Sequence, residues 1–197
     1  MAVEIKIVEE AKKPMGMNPK KFATWLFMVS IAMMFAALTS AYIVRQAEGN
    51  WMIFELPALF WVNTVVILVS SITMHAAYLA ARKNKAELVK VLVGATLSLG
   101  IVFLIGQWMA WQEMISQNVF LVNVNASGVS GSFVYVLSGL HGAHIISGIV
   151  FLAIVLVSAY RQKVHASNLL QIEMCTTYWH FLDGLWLYLF VFLLLNR

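Results

Sequence analysis

The chain has 197 residues, of which 61% are apolar and only 11% charged, and its mean hydropathy is +0.82. So little charge over this length excludes an ordinary soluble domain and marks an integral membrane protein. The net charge of +4 does not point to nucleic acid, because membrane topology accounts for where the basic residues lie, and a single cysteine, Cys175, excludes an internal disulfide or a two-thiolate metal centre.

Residues 1–21 are predicted to be a polar tail at a membrane face, with Lys12, Lys13, Lys20 and Lys21 flanking Pro14 and Pro19. The tail leads into a full-length apolar run, which speaks against a cleaved signal peptide. Residues 22–197 then read as one all-α domain of five transmembrane helices, predicted at about 22–45, 57–81, 88–113, 133–160 and 172–196. A short loop with Glu48, Gly49 and Glu55 follows the first span, with Trp51 and Trp61 as interfacial anchors. Pro57 is placed at the opening of the second span, where its missing N–H does no harm. The third span ends in Gly106-Gln-Trp-Met-Ala-Trp-Gln-Glu113, and a loop rich in Asn, Ser and Gly follows at about 114–132.

Lysine and arginine set the orientation. Eleven of the thirteen fall on one side: Lys6, Lys12, Lys13, Lys20 and Lys21 in the tail, Arg82, Lys83, Lys85 and Lys90 after the second span, and Arg161 and Lys163 after the fourth. Only Arg45 and Arg197 fall on the other. The positive-inside rule predicts a cytoplasmic N-terminus and an outside C-terminus.

Polar residues within the spans are costly, and each needs a reason. In the fifth span Glu173, Thr176, Thr177, His180 and Asp183 share about one third of the helix circumference, with Trp179 and Trp186 predicted on the opposite side. Asp183 falls about 16 Å along the helix, near the midplane, so this face must look into protein, lipid headgroups or water. In the fourth span Gly139, Ala143 and Ser147 form a ladder of small residues predicted to admit another helix closely. His141 and His144 lie beside it. Two histidines one turn apart can chelate a metal or ligate haem. With no carboxylate or thiolate cluster beside them, hydrogen bonding across a helix interface, or to a lipid headgroup near the membrane's outer half, is the reading preferred. Met28, Met33, Met34, Met109 and Met114 are scattered and read as apolar filler rather than copper ligands. His75 reads as interfacial, His165 as a loop residue, and Thr24, Ser30, Thr39 and Ser40 as back-bonding to their own helix.

Together these stretches resemble subunit III of the haem-copper respiratory oxidases. The resemblance covers all five spans. It rests on Glu173 with Tyr178-Trp-His-Phe-Leu-Asp183-Gly-Leu-Trp186, on Gly139-Leu-His141-Gly142-Ala-His144 with Gly148 behind it, and on Gly106 with Gln112-Glu113. Phe54-Glu55-Leu56-Pro57 and Ser70-Ser71 resemble the short, five-helix bacterial members. One departure stands in the first span, where Trp25-Leu26-Phe27-Met28-Val29-Ser30 is followed by Ile31 and the family usually has a carboxylate. A proton-related role for that carboxylate is not carried over.

The resemblance implies a non-catalytic structural subunit of a proton-pumping terminal oxidase in aerobic respiration, in a bacterial cytoplasmic (inner) membrane. It implies no redox centre, catalytic residue or metal ligand in this chain, with haems and copper in partner subunits. Its partners are then the catalytic subunit I, the other oxidase subunits and membrane phospholipid. Longer members hold phospholipid in a V-shaped cleft between two helix bundles; with five spans, a complete cleft would draw on a neighbouring subunit. His141, His144, Glu173, His180 and Asp183 are the residues expected to bind lipid or form a buried polar interface. An accessory subunit of a nitric oxide reductase and a small b-type cytochrome with histidine-ligated haem are the alternatives. A transporter is disfavoured, since no inverted repeat is apparent.

Overall fold

Each of the five apolar runs is a helix. The computed structural model describes residues 18–49, 51, 56–121, 129–162 and 168–196. Within them lie α1 (Pro19–Ala47), α2 (Leu59–Arg82), α3 (Ala86–Ser116), α4 (Val129–Tyr160) and α5 (Leu170–Leu195). All five are long and apolar enough to cross a membrane. The expectations for residues 1–17, Phe54, Glu55, Lys163, His165, Arg197 and residues 122–128 of the 114–132 loop lie outside the described residues.

The helix ends follow local chemistry and shift some predicted boundaries. Asn18 caps α1 by accepting from the Lys20 N–H at 3.0 Å, with Pro19 in the first turn. Pro19, Lys20 and Lys21 are therefore helical rather than part of a tail, and Pro19 is where a missing N–H is harmless. Pro57, expected in that role for α2, precedes the helix, and its carbonyl accepts from the Phe60 N–H at 3.0 Å. Asn84, Asn118 and Gln162, just past the ends of α2, α3 and α4, have positive φ angles of 53°, 61° and 54°. The left-handed conformation ends a helix, and asparagine tolerates it better than most residues.

Helices α2, α3, α4 and α5 form a closed ring in which each packs on two neighbours, and α1 lies outside it against α4 and α5. Helix α5 is consequently touched from three sides. In its most apolar window 56% of residues are buried, against 28% in α1.

Trp179 explains how the ring closes. Its ring is fully buried, and a Cβ on Gly100 of α3 or Gly148 of α4 would fall 2.8 Å or 3.0 Å from it. The two glycines form a notch that the indole fills, and its Nε1–H donates to Ser70 Oγ of α2 at 3.0 Å. Two turns on, Trp186 donates to Thr64 Oγ1 of α2 at 3.1 Å. It stacks on Phe60 and meets Phe103 edge-on, with centroids 5.8 Å and 4.9 Å apart. Both tryptophans thus sit in the ring core. Thr176 and Asp183 are buried too, whereas Glu173, Thr177 and His180 are only half-buried. The predicted polar face is therefore split along its length, one edge turned inward and the other toward the α1 side.

Helix α1 buries one line of residues, Met28, Ile31, Phe35, Thr39 and Tyr42. Ile31 is 3% exposed, so an apolar side chain seals the place of the family carboxylate. The opposite face presents Phe22, Leu26, Met33 and Val44 outward, as a lipid-facing helix should. At its far end Tyr42 Oη and Gln46 Nε2 both donate to the Asn196 carbonyl, at 2.9 Å and 3.0 Å. Trp51, expected as an interfacial anchor, packs edge-on against Tyr42 at 4.7 Å, while Trp61 is exposed.

Candidate functional site

The half-open edge of α5 meets α1 in a groove. At one end Lys21 Nζ lies 2.7 Å from Glu173 Oε1. Thr24, Trp25, Met174 and Thr177 join that pair around a space of about 170 Å³. Further along, Trp25, Met28, Val29, Ala32, Thr177, His180 and Phe181 line an apolar space of about 330 Å³. The groove thus carries charge at one mouth and hydrocarbon along its length, with His180 on its wall.

His180 is held from the α2 side. Its Nδ1 lies 2.6 Å from Ser71 Oγ, and its ring centroid is 5.8 Å from that of His75. The Asp183 carboxylate is 4.0 Å from Nδ1, at the outer limit of an ion pair. Ser70 and Ser71, adjacent on α2, therefore serve two positions of α5, one holding Trp179 and the other His180. Sequence reasoning marked this serine pair only as a likeness to shorter family members. The available signal was a pair of hydroxyls deep in an otherwise apolar span. Lys21 was also missed as a partner for Glu173, because it was assigned to the tail.

The two predicted histidines of α4 do not form one face. His141 is fully buried in the ring, with its ring 5.8 Å from Phe103 and 5.2 Å from Trp186. His144 points to α1, where its ring meets Phe35 edge-on at 5.9 Å. Its Nδ1 lies 2.7 Å from the Leu140 carbonyl, which can only accept, so the proton is on Nδ1. Neither histidine lines the α1–α5 groove. Among the described residues no three His, Cys, Asp or Glu side chains are grouped to hold a metal ion.

The small-residue ladder also divides. Ser147 Oγ is 2.7 Å from Tyr178 Oη of α5. Gly139 and Ala143 line a groove of about 290 Å³ with Gln107, Trp108 and Trp111 of α3, where Trp111 Nε1 donates to Ser138 Oγ at 3.0 Å. Among the described residues the ladder's neighbours are thus divided between α3 and α5. The methionines do not gather either, since Met28 and Met114 are core residues and Met33 and Met109 are exposed. Thr24, Ser30 and Thr39 do bond back to their own helix, at the carbonyls of Lys20, Phe27 and Phe35.

In comparisons with known proteins, the family model described as cytochrome c oxidase subunit III matches residues 10–196. A probable quinol oxidase subunit 3 of Staphylococcus saprophyticus is 28% identical over 179 residues, covering 88% of this chain and 87% of that protein. A cytochrome c oxidase subunit 3 of Synechocystis sp. is 30% identical over 182 residues, covering 87% and 73%. A cytochrome bo(3) ubiquinol oxidase subunit 3 of Buchnera aphidicola is 25% identical over 184 residues, covering 91% and 95%.

Proposed function

The chain belongs to the cytochrome c oxidase subunit III family, and from that premise we propose that it is a non-catalytic structural subunit of a proton-pumping haem-copper terminal oxidase that reduces oxygen to water. Haems and copper then reside in partner subunits. This chain packs beside the catalytic subunit I, stabilising it and its proton-uptake side, and holds a phospholipid in the α1–α5 groove. The setting is a bacterial cytoplasmic membrane, with the N-terminus inside.

The observation that carries this reading is how the polar groups of the spans are used. Glu173 engages Lys21, His180 engages Ser71, Tyr178 engages Ser147, and both core tryptophans engage α2 hydroxyls. Each joins two helices. In hydrocarbon such bonds hold a bundle together, because the alternative is an unpaired polar group. The groove adds the lipid part of the reading, since its Lys21/Glu173 mouth suits a zwitterionic or anionic headgroup and its apolar length suits an acyl chain.

Removing the chain from the assembled oxidase tests the role. Initial oxygen consumption should persist, while yield or turnover lifetime falls. A depleted complex with intact haems and no initial activity would overturn the reading. Orientation is tested by labelling single cysteines placed at Lys85 and at Asn125, in a protein whose own Cys175 is buried. The two should react from opposite faces of the membrane. Lipid extraction and mass spectrometry of the purified complex, with and without Lys21→Ala, should show one phospholipid fewer per complex in the variant.

A further inference from the structure

Within the ring, one layer contains polar atoms that the protein does not satisfy. Asn63 of α2, Gln107 of α3 and His141 of α4 are 2%, 1% and 0% exposed. Asn63 Nδ2, Gln107 Nε2 and Oε1, and both ring nitrogens of His141 have no hydrogen-bond partner among the described residues. Shared neighbours place the three at one level. The Asn63 amide occupies the space where a Cβ on Gly106 would stand, and Gly106 precedes Gln107. Trp186 bonds to Thr64, which follows Asn63, and packs against both Phe103 and His141. Phe103 lies one helical turn before Gln107 and itself touches His141.

We propose that this layer is an internal hydration site, in which ordered water bridges His141 to Gln107 and Asn63 inside the four-helix ring. The atom types identify the ligand. Neutral imidazole offers one donor and one acceptor, the glutamine amide offers both, and Asn63 Nδ2 donates. A set mixing donors and acceptors, with no formal charge, suits water better than a cation or an anion. Burial excludes a lipid headgroup, and an acyl chain would leave every one of these atoms unpaired. Water inside proteins characteristically makes two to four such bonds to groups otherwise unsatisfied, about three on average. The site also gives the polar residues of three helices one shared partner, so axial sliding of any helix would break its bond.

A structure of the native assembly, at a resolution that shows ordered solvent, tests the site directly. One or more solvent peaks within hydrogen-bonding distance of His141 and of Gln107 or Asn63 is the expected result. A dry layer, or a direct His141–Gln107 hydrogen bond with no peak beside it, would overturn the proposal. The variants Gln107→Met and His141→Phe give a second measurement on the assembled protein. Each alone should lower the unfolding temperature by stranding the water and the remaining partners, and the double variant should unfold no lower than the worse single one. Fully additive losses would contradict a shared water. Should a variant not assemble, the wild-type solvent density alone decides.

Discussion

In the ring, Trp179 fills a notch cut by two glycines, and the contact is between a rigid side chain and bare backbone. Along α1 the polar ties are separate side-chain hydrogen bonds, Lys21 to Glu173, Thr39 with Tyr188, and Tyr42 and Gln46 to Asn196, and an apolar space of about 330 Å³ is left between α1 and α5. The same apolar composition therefore closes in two ways. Where backbones approach closely, shape complementarity fixes the geometry and tolerates no added atom. Where fastening is by spaced side-chain hydrogen bonds, part of the surface between them can remain open to an occupant.

Gly148→Leu tests the tighter region and should have the largest effect. A leucine there meets Trp179 and Leu182 at once, and overpacking of this kind typically costs about 1–3 kcal/mol, with this site expected at or above the upper end. Loss of assembled complex on size exclusion would register it, and a wild-type yield would show that the notch has slack. On the α1 side, Ile31→Glu restores the family's usual residue type. Its side chain is buried, so the change should destabilise by about 2.5 kcal/mol on the insertion scale. A much smaller drop in detergent thermal stability would mean that the α1 seam reaches water or a cationic partner there.

Ser71→Ala comes next. It leaves His180 Nδ1 without its partner and should cost about 1–2 kcal/mol, with Ser71→Thr recovering most of it. The smallest effect is expected for Glu173→Gln. The ion pair it removes is about one third exposed on both sides, so its contribution to stability is about 0–1 kcal/mol. Lipid retention rather than unfolding temperature is the readout that should move. If Glu173→Gln destabilised as much as Gly148→Leu, the contrast between the two regions would be false.

The fold was legible in the sequence because hydrocarbon imposes so few solutions. Five apolar runs bounded by charge give five helices, and errors were confined to the ends, where Asn18 and Pro19 start α1 earlier than the lysines suggested. The candidate site was only partly legible. Periodicity placed Glu173, Thr177, His180 and Asp183 near one another on α5, but it cannot say which neighbour each faces. An arc of one third of a circumference is wide enough to span two environments, and here its inner edge is buried while its outer edge borders the α1–α5 groove. The tryptophans do not lie opposite that arc: at about 100° per residue Trp179 and Trp186 stand only about 40° and 60° from Asp183, beside its buried inner edge. Helix α2 accordingly supplies hydroxyls both to His180 and to the two indoles. His141 and His144 are one turn apart, and that 60° offset sends one into the ring and the other toward α1.

The two end fastenings of α1 have a mechanical consequence. Between them the helix is seated as well, since Phe35 is buried beside His144 and Thr39 Oγ1 lies 2.9 Å from Tyr188 Oη. The α1–α5 space, walled on the α1 side by Trp25, Met28, Val29 and Ala32, therefore belongs to the Lys21 end of a helix held along its length. Releasing the Asn196 carbonyl from Tyr42 and Gln46 should loosen the far end of α1 while Phe35, Thr39 and Lys21 keep the walls of the groove in place, so the groove should hold its occupant much as before.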